Sequence, residues 1–134
     1  MPARYRDRLL GACGGQLVAT IALEDRCLWI YPQAEWDEIE ETLGNLPNIN
    51  PQVKRMQRLL IGNANDIELD SNGRFVVPPL LREYAGLDKK VMLVGQVNKF
   101  ELWSEDAWEA TTSAYLNEVQ DVGAMPTELH TLRL

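Results

Sequence analysis

Leu28-Trp29-Ile30-Tyr31-Pro32-Gln33-Ala34-Glu35-Trp36 is matched 72 positions later by Phe100-Glu101-Leu102-Trp103-Ser104-Glu105-Asp106-Ala107-Trp108. In both stretches an apolar-rich strand ends on an aromatic, a helix-start residue follows, and a tryptophan comes five positions after that aromatic. Upstream, Pro2-Ala3-Arg4-Tyr5-Arg6-Asp7 aligns with Pro78-Pro79-Leu80-Leu81-Arg82-Glu83 at an offset of 76. The four extra residues fit a longer loop, Gly11 to Gly15, in the first half. Two matches in the same order read as an internal duplication.

Each half runs short helix, strand, turn, strand, helix. In the second half, Ile67 to Asp70 and Arg74 to Val77 flank Ser71-Asn72-Gly73. A three-residue loop with glycine last predicts a β-hairpin, because that site favours φ > 0. Pro78-Pro79 ends the strand, and a short helix from Leu80 to Ala85 stops at Gly86. Val91 to Val97 and Phe100 to Trp103 are strands around Asn98-Lys99, and Ser104 caps a helix with Glu105 and Asp106 in its first turn. In the first half, Leu17 to Leu23 and Cys27 to Tyr31 are the strand pair, and a helix from Pro32 to Leu43 ends at Gly44. Asn50-Pro51 opens a further helix, whose Val53, Met56, Leu59 and Leu60 make one apolar face while Lys54, Arg55 and Arg58 fall mostly on the other.

The 134 residues carry 46% hydrophobic side chains and a formal charge of −7. That composition fits a folded chain of one domain's size. No apolar run approaches the ~20 residues of a membrane span. Three arginines within the first eight residues leave no room for a secretory signal, so the expected location is cytoplasmic. Each half, at about 45 residues, is too small to bury a sufficient core alone. The expected fold class is therefore α+β, two interlocked halves whose hairpins close one small barrel, with flanking helices. Closure would also remove exposed sheet edges.

Catalysis finds little support. Glu35, Asp37, Glu38, Glu40 and Glu41 surround Trp36, Ile39 and Leu43 as the solvated face of a helix would. No nucleophile sits beside a plausible base, and no glycine-rich phosphate loop follows a strand. Cys13 and Cys27 are too far apart for a CxxC pair. His130, the single histidine, has no visible partner. No catalytic residue, metal, cofactor or small-molecule substrate is expected.

The most specific local feature is Asp70-Ser71-Asn72-Gly73-Arg74. Asp70 can accept hydrogen bonds from the backbone of its own turn, Gly73 can turn left-handed, and Arg74 starts the outgoing segment. Such a turn holds a guanidinium in a fixed place, as phosphate or base-edge contacts need, although an ordinary solvent-exposed turn has the same residues. Arg4, Arg6 and Arg8 cluster near the start. Arg6 and Arg82 occupy matching repeat positions, each followed by an acid, which suits a structural ion pair between the halves as well as a DNA contact. Lys54, Arg55 and Arg58 read as a solvated face, paired or not with the acidic helix before it.

These motifs resemble the MraZ family of bacterial transcriptional regulators, built from two AbrB-like (SpoVT-AbrB) halves. The resemblance is carried by Asp70-Ser71-Asn72-Gly73-Arg74, which fits D-x-x-G-R, and by Pro2-Ala3-Arg4-Tyr5-Arg6. It extends through Tyr31-Pro32, Glu35-Trp36, Gln57-Arg58-Leu59-Leu60, Val91 to Gln96 and Asn98 to Trp103, up to about Tyr115. It implies a double-psi-type barrel, a ring-shaped homo-oligomer, and binding to repeated sites in double-stranded promoter DNA. The implied target is the division and cell-wall gene cluster, including the regulator's own gene, with a nucleoid-associated protein as the result. The expected DNA-binding set is Arg74, Asn72, Gly73, Asp70 and Arg4, with Arg6 and Arg82 in structural or supporting roles. The expected division is 1–35 for the first repeat, 36–62 for a helical connector, 63–107 for the second repeat and 108–134 for the C-terminal helix and tail. Counting back from Pro2, the first-half counterpart of D-x-x-G-R falls before residue 1. The expectation is an N-terminally truncated chain, with Met1 in the place of Val77 and a valine codon read as the start. The alternative function is an AbrB-like oligomerisation or interaction scaffold that does not bind DNA.

Overall fold

Two β-hairpins meet edge to edge at the centre of the computed structural model, which describes residues 14–47 and 49–119. The first hairpin is β1 (Gln16–Ile21) and β2 (Leu28–Pro32), followed by α1 (Gln33–Asn45) and α2 (Pro51–Leu60). Next come β3 (Asn65–Glu68) and α3 (Pro79–Ala85), then the second hairpin, β4 (Val91–Gly95) and β5 (Phe100–Ser104), and α4 (Glu105–Val119). All pairings are antiparallel, in the order β3-β1-β2-β5-β4.

The duplication is visible in the register. β2 pairs with β5 as Leu28↔Leu102, Trp29↔Glu101 and Ile30↔Phe100. Residues 72 apart therefore exchange partners, and Trp29 lies opposite its own repeat equivalent, Glu101. That is the signature of a local pseudo-two-fold axis between the halves. The aromatic markers obey it too. The Tyr31 and Trp36 ring centroids are 5.6 Å apart, and those of Trp103 and Trp108 are also 5.6 Å apart.

Strand alternation sends successive side chains to opposite faces of the sheet. Leu17, Ala19, Ile21, Leu28, Ile30, Phe100 and Leu102 bury one face together with Leu81 and Ala85 of α3. On the other face, Val18 and Tyr31 pack with Trp36 and Leu43 of α1 and Leu60 of α2. Trp103 packs there beside Ala107 and Trp108 of α4. Burial on both faces makes β1 apolar nearly throughout. Thr20, wholly buried within it, donates its hydroxyl to the Leu60 carbonyl at 2.7 Å and so ties α2 to the sheet.

The helix ends follow local chemistry. The Asn50 side chain accepts from the Gln52 N–H at 2.9 Å and Pro51 opens α2. Pro79 opens α3, and Gly86 closes it at φ 63° with its N–H on the Arg82 and Glu83 carbonyls. The Ser104 hydroxyl oxygen accepts from the Ala107 N–H at 3.1 Å, capping α4. Helix α1 runs on through Gly44 to Asn45, because the extended backbone of Leu46, rather than the glycine, ends it.

Two expectations need correction. The sheet is not closed into a barrel among the described residues: β3 and β4 are its two edges. Nor do Arg74 to Val77 form a strand against Ile67 to Asp70. Instead β3 turns away to pair with β1, as Gln16↔Glu68 through Ala19↔Asn65. The first-half hairpin offers a long apolar edge to Ile67, which a five-residue turn cannot match. The halves thus interlock by contributing strands to one sheet. The apolar face drawn for α2 also narrows: Leu60 is buried, whereas Met56 and Leu59 are exposed. Arg4, Arg6, Arg8, Cys13, His130 and the tail after residue 119 lie outside the described residues.

Candidate nucleic-acid interface

The Asp70–Arg74 turn follows directly from the end of β3. Leu69, buried, donates its N–H to the Gly15 carbonyl at 2.8 Å and anchors the incoming side. The Asp70 carboxylate oxygen Oδ1 then accepts from the N–H groups of Asn72 at 2.9 Å and Arg74 at 2.8 Å. The Asp70 N–H donates to the Arg74 carbonyl at 2.9 Å, and the Gly73 N–H to the Asp70 carbonyl at 3.0 Å. Gly73 sits at φ 78°, a backbone conformation that a Cβ disfavours. One carboxylate and one glycine therefore define a closed turn, as the sequence predicts, with Asn72 and Arg74 exposed on it.

Beside the turn lies a groove of about 670 Å³. Its exposed cations are Arg74, Arg82 and Lys89, and Asp88 is the carboxylate among its lining residues. Phe75, Val77 and Leu87, all half-buried, make its apolar lining. The fold thus brings Arg82 of α3 to the same groove as Arg74, and adds Lys89 from the loop before β4. Arg82 is exposed and joins no other described residue in an ion pair. Lys89 escaped the sequence reading because Asp88-Lys89-Lys90 has no periodicity; its only signal is two adjacent lysines in a chain short of cations.

Elsewhere the chemistry is quiet. Among the described residues, no group of three His, Cys, Asp or Glu side chains could hold a metal ion, and no helix is long and apolar enough to cross a membrane. Cys27 is buried and free, and burial first, then the nearby Glu101 and Asp25 carboxylates, push its thiol up to about 12. Such a thiol is a poor nucleophile at neutral pH. The acidic residues of α1 surround buried Trp36, whose indole N–H donates to Glu40 Oε2 at 2.9 Å.

A tandem-duplicated α+β chain with an exposed arginine on a carboxylate-closed turn is the class that fold and site define. The MraZ protein family, described as antitoxin-like, matches this chain twice in succession, over residues 1–59 and 60–122. The chain belongs to that family. It is 59% identical over all 134 residues to the transcriptional regulator MraZ of Pseudomonas putida, and covers 89% of that protein. The transcriptional regulators MraZ of Pseudomonas entomophila and Pseudomonas aeruginosa are 58% and 56% identical over the same span and share. These relatives are named as regulators, not as enzymes.

Proposed function

We propose that this chain is a sequence-specific DNA-binding transcriptional regulator that engages repeated promoter sites as a ring oligomer, in the cytoplasm and at the nucleoid. Its target in this reading is the division and cell-wall gene cluster that includes its own gene. The observation that supports it best is the exposed Arg74 on a turn closed by Asp70, in one groove with Arg82 and Lys89. In a chain of net charge −7, this local set of cations gives a phosphate backbone somewhere to dock against the net repulsion of the whole. Arg74, with its planar set of donors, is the group suited to a base edge or a bidentate phosphate contact. Asp70 and Gly73 shape the turn and Asn72 is exposed on it; Arg4, outside the described residues, belongs to the set through the family resemblance. Residues 1–35 and 63–107 are the two SpoVT-AbrB-like halves, 36–62 the connector and 108–134 the last helix and tail.

One arginine contact supplies only about 1–3 kcal/mol of discrimination. Several copies on several DNA repeats multiply it through effective concentration. Arg74→Ala is expected to abolish the gel shift of a promoter fragment while sedimentation shows the oligomer intact. Three phosphate contacts per copy would give log K against log salt a slope of about −3 per copy. Unchanged binding by Arg74→Ala removes the turn from the interface, and salt-independent or absent binding leaves only a scaffold role.

A further inference from the structure

The pseudo-two-fold relation gives strands of the first half counterparts in the second. Leu17 pairs with Pro32 and Val91 with Ser104, and those two partners are 72 positions apart. Leu17 therefore corresponds to Val91, Val18 to Met92 and Ala19 to Leu93. Burial does not follow this symmetry. Leu17 and Val18 are 0% and 1% exposed, whereas Val91 and Met92 are 46% and 37% exposed. The difference lies in β3, which covers the outer edge of β1 and has no counterpart on β4 among the described residues.

The outer edge of β4 carries what a further strand needs. On the β5 side, the Lys90 carbonyl accepts from the Glu105 N–H at 3.1 Å. Strand alternation then turns the N–H and C=O groups of Val91 and Leu93 toward the outer edge. Leu17, the counterpart of Val91, lies opposite Ile67 of β3. Val91 also lines the groove of about 670 Å³, together with Phe75, Leu87 and Leu102, so an apolar side chain opposite Val91 has a place to enter.

The chemistry of the occupant is read from β3 and the residues after it. Ile67 and Leu69 are buried there, while Asp66, Glu68 and Asp70 are exposed. Glu68 stands opposite Gln16, whose counterpart in the second half is Lys90. A carboxylate at that position of an added strand would face a lysine, a favourable cross-strand pair. Lys90 and its neighbour Lys89 are both exposed. We infer that the outer edge of β4 accepts an extended acidic segment of another protein, carboxylates alternating with large aliphatic side chains, as a sixth antiparallel strand on this five-stranded sheet. Its backbone pairs along Val91 to Leu93, an aliphatic side chain fills the groove beside Val91, and a carboxylate meets Lys90. The contact needs no nucleic acid.

The probe is a labelled synthetic peptide that copies residues 63–70, added to the full chain without DNA and followed by fluorescence anisotropy. It is expected to bind, more weakly as salt rises. Ile67→Ser with Leu69→Ser in the peptide is expected to abolish binding. Asp66→Asn, Glu68→Gln and Asp70→Asn together are expected to weaken it about tenfold. In the protein, Val91→Pro removes an outward N–H at a sheet edge, where proline is tolerated. It is expected to weaken binding about tenfold while circular dichroism shows the chain folded. Lys90→Glu is expected to weaken the acidic peptide and not the amide-substituted one. No binding by the wild-type chain, as when another part of the chain already covers the edge, overturns the inference. Equal binding of all three peptides overturns it as well. Full binding by folded Val91→Pro places the peptide elsewhere, displacement of β3 from β1 included, and also overturns it.

Discussion

Removing the Asp70 carboxylate is expected to loosen the turn that carries Arg74, by an amount that the geometry bounds. Asp70→Ala deletes two backbone N–H···O bonds, from Asn72 at 2.9 Å and Arg74 at 2.8 Å. A hydrogen bond contributes about 0.5–1.5 kcal/mol net. Both donors sit at an exposed turn, where water replaces the lost acceptor, so the total falls at about 1–2 kcal/mol, like the loss of a helix N-cap. Asp70→Asn keeps an oxygen in the Oδ1 position and is expected to retain most of that stability. Urea unfolding followed by the fluorescence of the four tryptophans gives the numbers, at one fixed protein concentration because the proposed assembly would couple to stability. If the loss is spent as disorder of the turn rather than global unfolding, affinity for promoter DNA falls by about 5–30-fold instead, since 1–2 kcal/mol is that factor in a population. Anisotropy with a labelled promoter fragment separates the two cases. Asp70→Ala within about 0.3 kcal/mol of wild type and with unaltered DNA affinity would refute the claim that this carboxylate holds the turn.

Thr20→Val replaces the wholly buried hydroxyl that donates to the Leu60 carbonyl with a methyl of similar size. The expected cost is about 1–3 kcal/mol in urea unfolding, since the carbonyl loses a buried donor; an unchanged midpoint would show that this bond does not hold α2 to the sheet. The Cys27 thiol, pushed up to about 12 from 9.0 chiefly by burial, keeps its proton more tightly folded than unfolded. Its contribution to stability is therefore whole below pH 9 and is lost as pH rises toward about 12. In a Cys13→Ser background, a thiol reagent at pH 8 should react with Cys27 only after urea is added. Fast reaction in native buffer, or stability flat between pH 9 and 12 relative to Cys27→Ala, would contradict that.

The duplication was legible because its markers are large aromatics at fixed spacing, and each aromatic pair packs within its own half. The turn was legible because Asp70 and Gly73 act on their immediate neighbours. Strand partnership was not. Nothing local in Asn65–Glu68 says that it joins β1 rather than residues 74–77; long-range pairing is chosen by which apolar edge is available. Lys89 was missed for the same reason, since only the chain's return past α3 brings it to the groove of Arg74. Met56 and Leu59 sit at helical spacing on α2 but are exposed, because α2 meets the sheet mainly through its last turn, at Leu60.

The register in which Trp29 faces Glu101 has an evolutionary corollary. Were either half a free-standing polypeptide forming a symmetric dimer, the residue at that position would confront its own twin across the ladder, and glutamate against glutamate would repel. Tandem fusion frees the two sites to diverge, so an indole can stand where a second carboxylate would have been. It also converts a bimolecular pairing into an intramolecular one, so that the central ladder survives at any dilution.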